Sequence, residues 1–382
     1  MPIKTKTPTF DFLNVFALFK YTSYYFCHND KAMTGQFDKM LLILTTPLAS
    51  LIQILYSLLN FINNIGDKMA KIDVFGLGSA LVDIQAQVSD EIIETTGHSK
   101  GGMALVDVSS RNHILDNLQN VKQNISSGGS VANTLVGITR LGGTATMAGC
   151  VGNDKYGKLY KDDIETSGVT FDSQASDGDT GTCVVLITPD AQRTMYTTLG
   201  CAPHIQASQV SSEAIANSKI LYIEGYLWDS PETIAVVKNA MQLAKDHGVK
   251  VAFSASDSFC VSRHRDDFIT ILTDFADIYF ANADEAKAIS GCEDIENAIT
   301  YMASKCPCVA ITNGGEGSVI VADKQRYNIE AVPCKPVDTT GAGDSYAAGI
   351  LYGIANGQDY NEMGKKAAQI SSEVVSRLGA RY

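Results

Sequence analysis

A chain of 382 residues, with 45% hydrophobic side chains and 32 glycines, can bury one large α/β core joined by many tight turns. Its formal charge of −12 argues against a nucleic-acid-binding face, which has to be basic. Nine cysteines are scattered and odd in number; no Cys-x-x-Cys pair speaks for zinc, and the pattern fits a reducing cytoplasm better than a disulfide framework.

The first 68 residues differ in kind from the rest. From Met40 to Ile62 the chain carries no charge, a run long enough for the roughly 20 apolar residues that a membrane span needs. It can be read as an anchor, a targeting segment or sequence outside the working protein. Some forty residues precede it and no small-residue cleavage site is clear, which disfavours a signal peptide. Lysines on both sides (Lys20, Lys31 and Lys39 before, Lys68 and Lys71 after) do not decide an orientation. Met69 opens MAKIDVFGLGSALVDI, a polar start leading straight into a buried-strand pattern. The preferred reading therefore starts the working protein near Met69.

From there strands and helices alternate. Ile72–Gly78 reads as a central strand, and a helix follows Gly128-Gly129 and stops at Leu141-Gly142-Gly143. Thr144–Val151 is a strand and Gly157–Gly168 a helix; Ile220–Gly225 is a strand, with a helix from Pro231 to His247. Val249–Ser254, Ile278–Phe280 and Val309–Thr312 repeat the strand pattern. Such alternation predicts a mostly parallel sheet covered by helices on both faces. Thr182–Thr188 and Thr194–Leu199 break the rhythm as a hairpin around Pro189–Arg193. With Gln85–Val88 and Met103–Asp107 they predict a small antiparallel sheet, able to close over a substrate and exclude water.

The chemistry concentrates near the C-terminal end, in Asp338-Thr339-Thr340-Gly341-Ala342-Gly343-Asp344 followed by a helix-like run. Glycines permit a tight turn whose N–H groups point one way at a helix N-terminus, where the dipole also favours negative charge. Asp344 stands at the lip of that anion cradle. A carboxylate beside an anion hole is what phosphoryl transfer to a hydroxyl requires: the acid takes the proton, the amides hold the developing charge. The plainer reading is a glycine turn with a capping Asp.

Three further groups look like parts of one site. Asp83, placed beyond the first strand, could accept from paired sugar hydroxyls, or it could be a surface or capping acid. Gly128 and Gly129 permit close backbone approach, and Asn133 one turn on offers donor and acceptor to a hydroxyl. Asn282 and Glu285, three apart, can share a helix start and position Mg²⁺ through water, while the Thr312–Gly317 run suits a nucleotide lying on exposed backbone. Neither the Gly-x-x-x-x-Gly-Lys-Ser/Thr loop nor a complete Gly-x-Gly-x-x-Gly is present there.

Together these stretches resemble the ribokinase-like (PfkB) carbohydrate and nucleoside kinases over residues 71–382, through Asp338–Ile350 and through Gly128–Gly137 with Gly149–Gly168. The resemblance implies an α/β ribokinase-like domain over 69–382, with a β lid from parts of 84–107 and 180–200, and residues 1–68 as an extension outside it. It implies Asp344 as catalytic base, with Gly341, Ala342 and Gly343 as the anion hole. Asp83, Gly128, Gly129 and Asn133 would bind the acceptor, Asn282 and Glu285 would organise Mg²⁺ and phosphate, and Thr312, Gly315 and Gly317 would line the ATP pocket. A monovalent cation is a further candidate.

Tyr222–Trp228, Ser256–Phe259 and Gln192–Met195 resemble the adenosine kinase branch, although Gly-Gly-Ser-Val-Ala-Asn lacks a glutamine found in that branch. Phe259 could then stack on a purine or sit in the core, and Arg193 could reach an incoming phosphate. The expectation is a cytoplasmic, ATP-dependent kinase of adenosine, monomeric or homodimeric, with small-molecule partners, no nucleic acid, and no membrane unless 40–62 is a genuine anchor. A ribokinase- or fructokinase-type sugar kinase is the near rival. A non-catalytic nucleotide-binding protein tethered to a membrane is the distant one, and the retained Asp344 argues against it.

Overall fold

In chain order the strands are β1 (Ile72–Leu77), β2 (Leu81–Gln87), β3 (Met103–Leu105), β4 (Gln123–Gly128), β5 (Ala145–Ala148), β6 (Val169–Phe171) and β7 (Gly181–Ile187), then β8 (Arg193–Thr198), β9 (Ser218–Glu224), β10 (Lys250–Ser254), β11 (Ile278–Asn282), β12 (Cys308–Thr312), β13 (Ser318–Ala322) and β14 (Gln325–Ile329). The structure, a computed structural model, describes residues 72–190 and 192–381. The apolar run Met40–Ile62 and the start at Met69 lie outside the described residues.

Nine strands form one sheet in the order β14-β13-β12-β11-β10-β9-β1-β5-β6. From β6 across to β12 every pairing is parallel; β13 and β14 add an antiparallel edge. The reason is legible in the strands themselves. β1 (IDVFGL) and β9 (SKILYIE) are buried along nearly their whole length and carry unbroken runs of non-charged, mostly apolar residues (VFGL, ILYI), as strands covered on both faces do. Alternate residues feed two cores. Val74, Ile220 and Ala252 pack on one face with Leu135 and Ala348, while Phe75, Leu221 and Phe253 pack on the other with Val237 and Phe268. Each fully buried Phe or Leu contributes about 1.5–3 kcal/mol, and it is this burial that holds the sheet between its helices.

Five strands form the second sheet, in the order β3-β8-β7-β2-β4. It carries the expected antiparallel hairpin of β7 with β8, adds an antiparallel pairing of β2 with β4, and has two parallel ones, β2 with β7 and β3 with β8. The predicted hairpin closes where Thr188 donates from its backbone to Gln192 at 3.0 Å and from its hydroxyl to Asp190 at 2.6 Å. β4, β6, β13 and β14 are not among the strands expected from sequence. β4 (QNISSG) is polar and largely exposed over its first half, so it lacks a strand's alternation. Among the described residues no helix is long and apolar enough to cross a membrane.

Candidate active site

The loop from Asp338 to Asp344 is held from three directions. Asp338 accepts from the Thr340 backbone N–H at 2.9 Å, from the Gly379 N–H at 2.9 Å, and from Arg193 Nη1 on β8 at 2.5 Å. Burial alone would raise its pKa, yet these donors and the Arg193 charge outweigh it and hold the group below the ordinary carboxylate value. Gly341 has φ 76°, and a Cβ there would lie 2.2 Å from the Ala380 carbonyl oxygen, so only glycine fits. The helix Ala342–Ala355 starts at that point. The N–H groups of Gly341, Gly343 and Asp344 find no acceptor among the described residues, whereas that of Ala342 turns to Thr339 O at 3.2 Å. The open amides are therefore Gly341, Gly343 and Asp344's own, and Ala342 is committed to the turn.

Asp344 points into a cleft of about 390 Å³. Ser130 Oγ donates to its Oδ1 at 2.6 Å and Asn133 Nδ2 to its Oδ2 at 2.9 Å. Burial raises its pKa, with both hydrogen bonds and the nearby Arg381 charge acting against that rise. Asn133, expected to meet a substrate hydroxyl, lines the cleft and also donates to Asp344, while its oxygen accepts from Arg381 Nε at 2.9 Å. Gly128 and Gly129 allow close approach, but to the protein's own groups. A Cβ at Gly128 would come within 2.4 Å of the Asp83 carboxyl, and one at Gly129 (φ 94°) within 2.2 Å of Ser79 O. Gly129 also lines the cleft.

Asp83 is the third residue of β2, within the small sheet rather than at the end of β1. Its carboxylate lines the cleft and has no hydrogen-bond partner among the described residues. Burial pushes its pKa to about 6; Arg381 and Arg193 pull it down and Asp344 pushes it further up. An acceptor held open over a half-buried cleft is suited to donors that arrive with a ligand.

Arg193 lines the same cleft, already paired with Asp338. Asn282 and Glu285 do share a helix start, as a capping box. Each oxygen of Glu285 accepts from Asn282 (backbone N–H at 2.9 Å, Nδ2 at 2.6 Å), and the Glu285 N–H donates to Asn282 Oδ1 at 2.9 Å. Both line the cleft, and burial pushes Glu285 to about 7. Among the described residues no three His, Cys, Asp or Glu side chains form a metal-holding group. These residues fit a metal held mainly by phosphate and water, not a protein cage. Thr312, Gly315 and Gly317 line a second cavity of about 510 Å³, and the two cavities share Thr312, Gly343 and Tyr346. Gly343 therefore faces both cavities, while Gly341 and Asp344 line the smaller one.

Two expectations for Phe259 are corrected. The residue is 79% exposed, so it is not core, and it is not among the residues that line the cleft. An aromatic in the first turn of a helix simply faces outward here. Sequence reasoning also passed over Glu224, which is fully buried and accepts from Ser79 N–H at 2.7 Å and Val131 N–H at 3.1 Å. It ties the end of β1 to the Ser130–Arg140 helix, and burial raises it to about 7. Its only sequence signal was an acid ending an apolar strand.

These shifts have a consequence for stability. Asp83, Glu224 and Glu285 all have folded pKa values above the unfolded ones, so the folded state binds protons more tightly and their favourable contribution is lost as pH rises through about 6 to 7. The melting temperature of the ligand-free protein is expected to fall between pH 5.5 and pH 7.5. A flat or rising Tm across that window in a calorimetric titration would contradict the assignment.

The model of the pfkB family of carbohydrate kinases matches residues 99–382. Among curated proteins, a 5-dehydro-2-deoxygluconokinase of Bacillus licheniformis is 30% identical over 263 residues, covering 65% of this chain and 81% of that protein. An adenosine kinase of Saccharomyces cerevisiae is 29% identical over 332 residues, covering 80% and 95%. Among solved structures, the adenosine kinase of Sinorhizobium meliloti superposes with a TM-score of 0.74 at 37% identity, covering 82% of this chain and 96% of that one.

Proposed function

The chain belongs to the pfkB family of carbohydrate kinases, a sugar or nucleoside kinase by its relatives, and from that premise we propose that it transfers the γ-phosphoryl group of ATP to the 5′-hydroxyl of adenosine. The observation that carries the reading is the position of Asp344, in the smaller cavity, next in sequence to Gly343, which lines both cavities, and beside open helix N-terminal amides. The acceptor hydroxyl would give its proton to the Asp344 carboxylate as it attacks in line from the smaller cavity. The Gly341 and Gly343 N–H groups would receive the charge of the transferring group. ATP would occupy the larger cavity, against Thr312, Gly315 and Gly317. Mg²⁺, when bound with ATP, neutralises phosphate charge; Asn282 and Glu285 would face its water shell.

A nucleoside is favoured over a free sugar by the make-up of the acceptor cleft. Asp83 offers an open acceptor at one end, suited to ribose hydroxyls, while Leu81, Val185, Met195 and Phe280 give an apolar wall that a base would cover and a bare sugar would leave wet. The 37% identity to the S. meliloti adenosine kinase supports the same choice. The similarity to a 5-dehydro-2-deoxygluconokinase keeps a sugar acceptor as the second reading. A phosphoryl-transfer panel of nucleosides and sugars decides between them. Adenosine is expected to have the highest kcat/KM; a sugar that outperforms every nucleoside would replace the acceptor, and no turnover with any would end the kinase reading.

A further inference from the structure

One charged side chain inside the site has no part in the chemistry above. Arg381 follows the Tyr360–Val375 helix and points back into the core of the site. Its Nε donates to Asn133 Oδ1 at 2.9 Å, its Nη1 donates to Ser127 Oγ at 3.0 Å and lies 3.6 Å from Asp163, and its Nη2 is buried without a hydrogen-bond partner among the described residues. Ser127 in turn donates to Asp163 from backbone and hydroxyl, at 2.8 and 2.6 Å.

We propose that Arg381 is a positioning residue that fixes which way the Asn133 amide faces and so presents an N–H, not an oxygen, to the Asp344 carboxylate. The argument rests on the reading of Asp344 as base, and its chemistry is simple. A guanidinium has donors only, so the Asn133 atom facing it must be the oxygen. The amide NH₂ is then left facing Asp344, where it donates at 2.9 Å. A flipped amide would set its oxygen against the carboxylate and its NH₂ against the guanidinium, two repulsive contacts at once. A donated N–H favours the ionised carboxylate, the form a base needs.

The neighbouring residues brace the same loop independently: Gly379 donates to Asp338, and Ala380 packs its carbonyl against Gly341. The charged and titratable groups around Asp344 are Asp83 from β2, Tyr222 and Glu224 from β9, Tyr226 just beyond it, and Arg381, with Cys183, Arg193, Glu285 and Tyr346 also lining the cleft. Of the two cations, Arg193 is paired with Asp338, and Arg381 is the one that touches Asn133.

The test is R381Q, R381K and the double variant R381Q/N133A, with kcat, KM and the pH profile measured on the best acceptor of the panel. R381Q is expected to lower kcat between about 10- and 100-fold through loss of alignment, with the KM for ATP nearly unchanged. The acidic limb of its profile moves to higher pH. R381K, still donor-only, recovers much of both effects. In the N133A background R381Q lowers kcat no further, and only the direct loss of its charge still moves the acidic limb. A wild-type profile in R381Q, a lysine variant no better than glutamine, or an undiminished R381Q effect on kcat without Asn133 would each overturn the proposal. If R381Q does not fold, D163N carries the test, since it loosens Arg381 without touching Asn133; an unmoved acidic limb there sinks the idea equally. A wild-type protein that phosphorylates nothing would refute the reading of Asp344 instead.

Discussion

Replacing Asp344 by asparagine is expected to lower kcat by about 10²- to 10⁴-fold, the span general-base catalysis commands, while ATP still binds with near-normal affinity. The substitution is nearly isosteric, and its hydrogen bonds can be made whole. The Asn133 NH₂ still finds an oxygen at position 344. The new NH₂ faces Ser130, whose hydroxyl can turn from donor to acceptor. The fold, both cavities and the amides of Gly341 and Gly343 therefore persist, and what disappears is the ability to take a proton. Burial raises the Asp344 pKa, and removing that charge relieves a cost in the ligand-free protein, so Tm should hold or rise. Activity and ATP affinity, measured by turnover and calorimetry, would then separate. Activity within a few-fold of wild type would remove Asp344 as the base; lost ATP binding would make it structural.

Which parts of this were legible in sequence follows from the range of the interactions that make them. The parallel strands announced themselves because IDVFGL and SKILYIE carry their burial in consecutive residues. The anion loop was legible for the same reason, since glycine turn, helix start and acid lie within seven residues. Asn282 and Glu285 were rightly placed together because a capping box is local, although its geometry occupies the carboxylate that sequence reasoning assigned to metal water. The environment of Asp344 was not legible. Asn133 stands 211 residues from Asp344 and 248 from Arg381, and nothing in the local pattern of any of them encodes the meeting. Asn133 consequently read as a substrate contact, and Arg381 did not register at all. Phe259 failed for the opposite reason: its type suggested burial, but a lone aromatic has no periodicity to tell inward from outward.

Asp83→Ala is expected to raise the KM for the acceptor by about 10²-fold or more, because two hydrogen bonds to a charged group are worth roughly 1.5–3 kcal/mol each. The KM for ATP should be unaffected. The strength of the case lies in what Asp83 does not do for the fold. Its carboxylate has no hydrogen-bond partner among the described residues, Gly128 on the neighbouring strand leaves room for it, and burial holds it at about 6. At pH 7.5 the folded protein therefore keeps ionised an acid that the unfolded chain would ionise more readily. Hydroxyl donors arriving with a ligand would offset that cost by hydrogen-bonding the ionised carboxylate. The variant should accordingly melt higher than wild type without ligand while gaining less from adding acceptor. A pH series gives a second view. Acceptor affinity in the wild type should weaken as pH falls through about 6, where the carboxylate gains its proton, and the alanine variant should lose that dependence. An acceptor KM unchanged by the substitution, or one that moves together with the KM for ATP, would take Asp83 out of the acceptor site and leave the open end of the cleft to be explained by another residue.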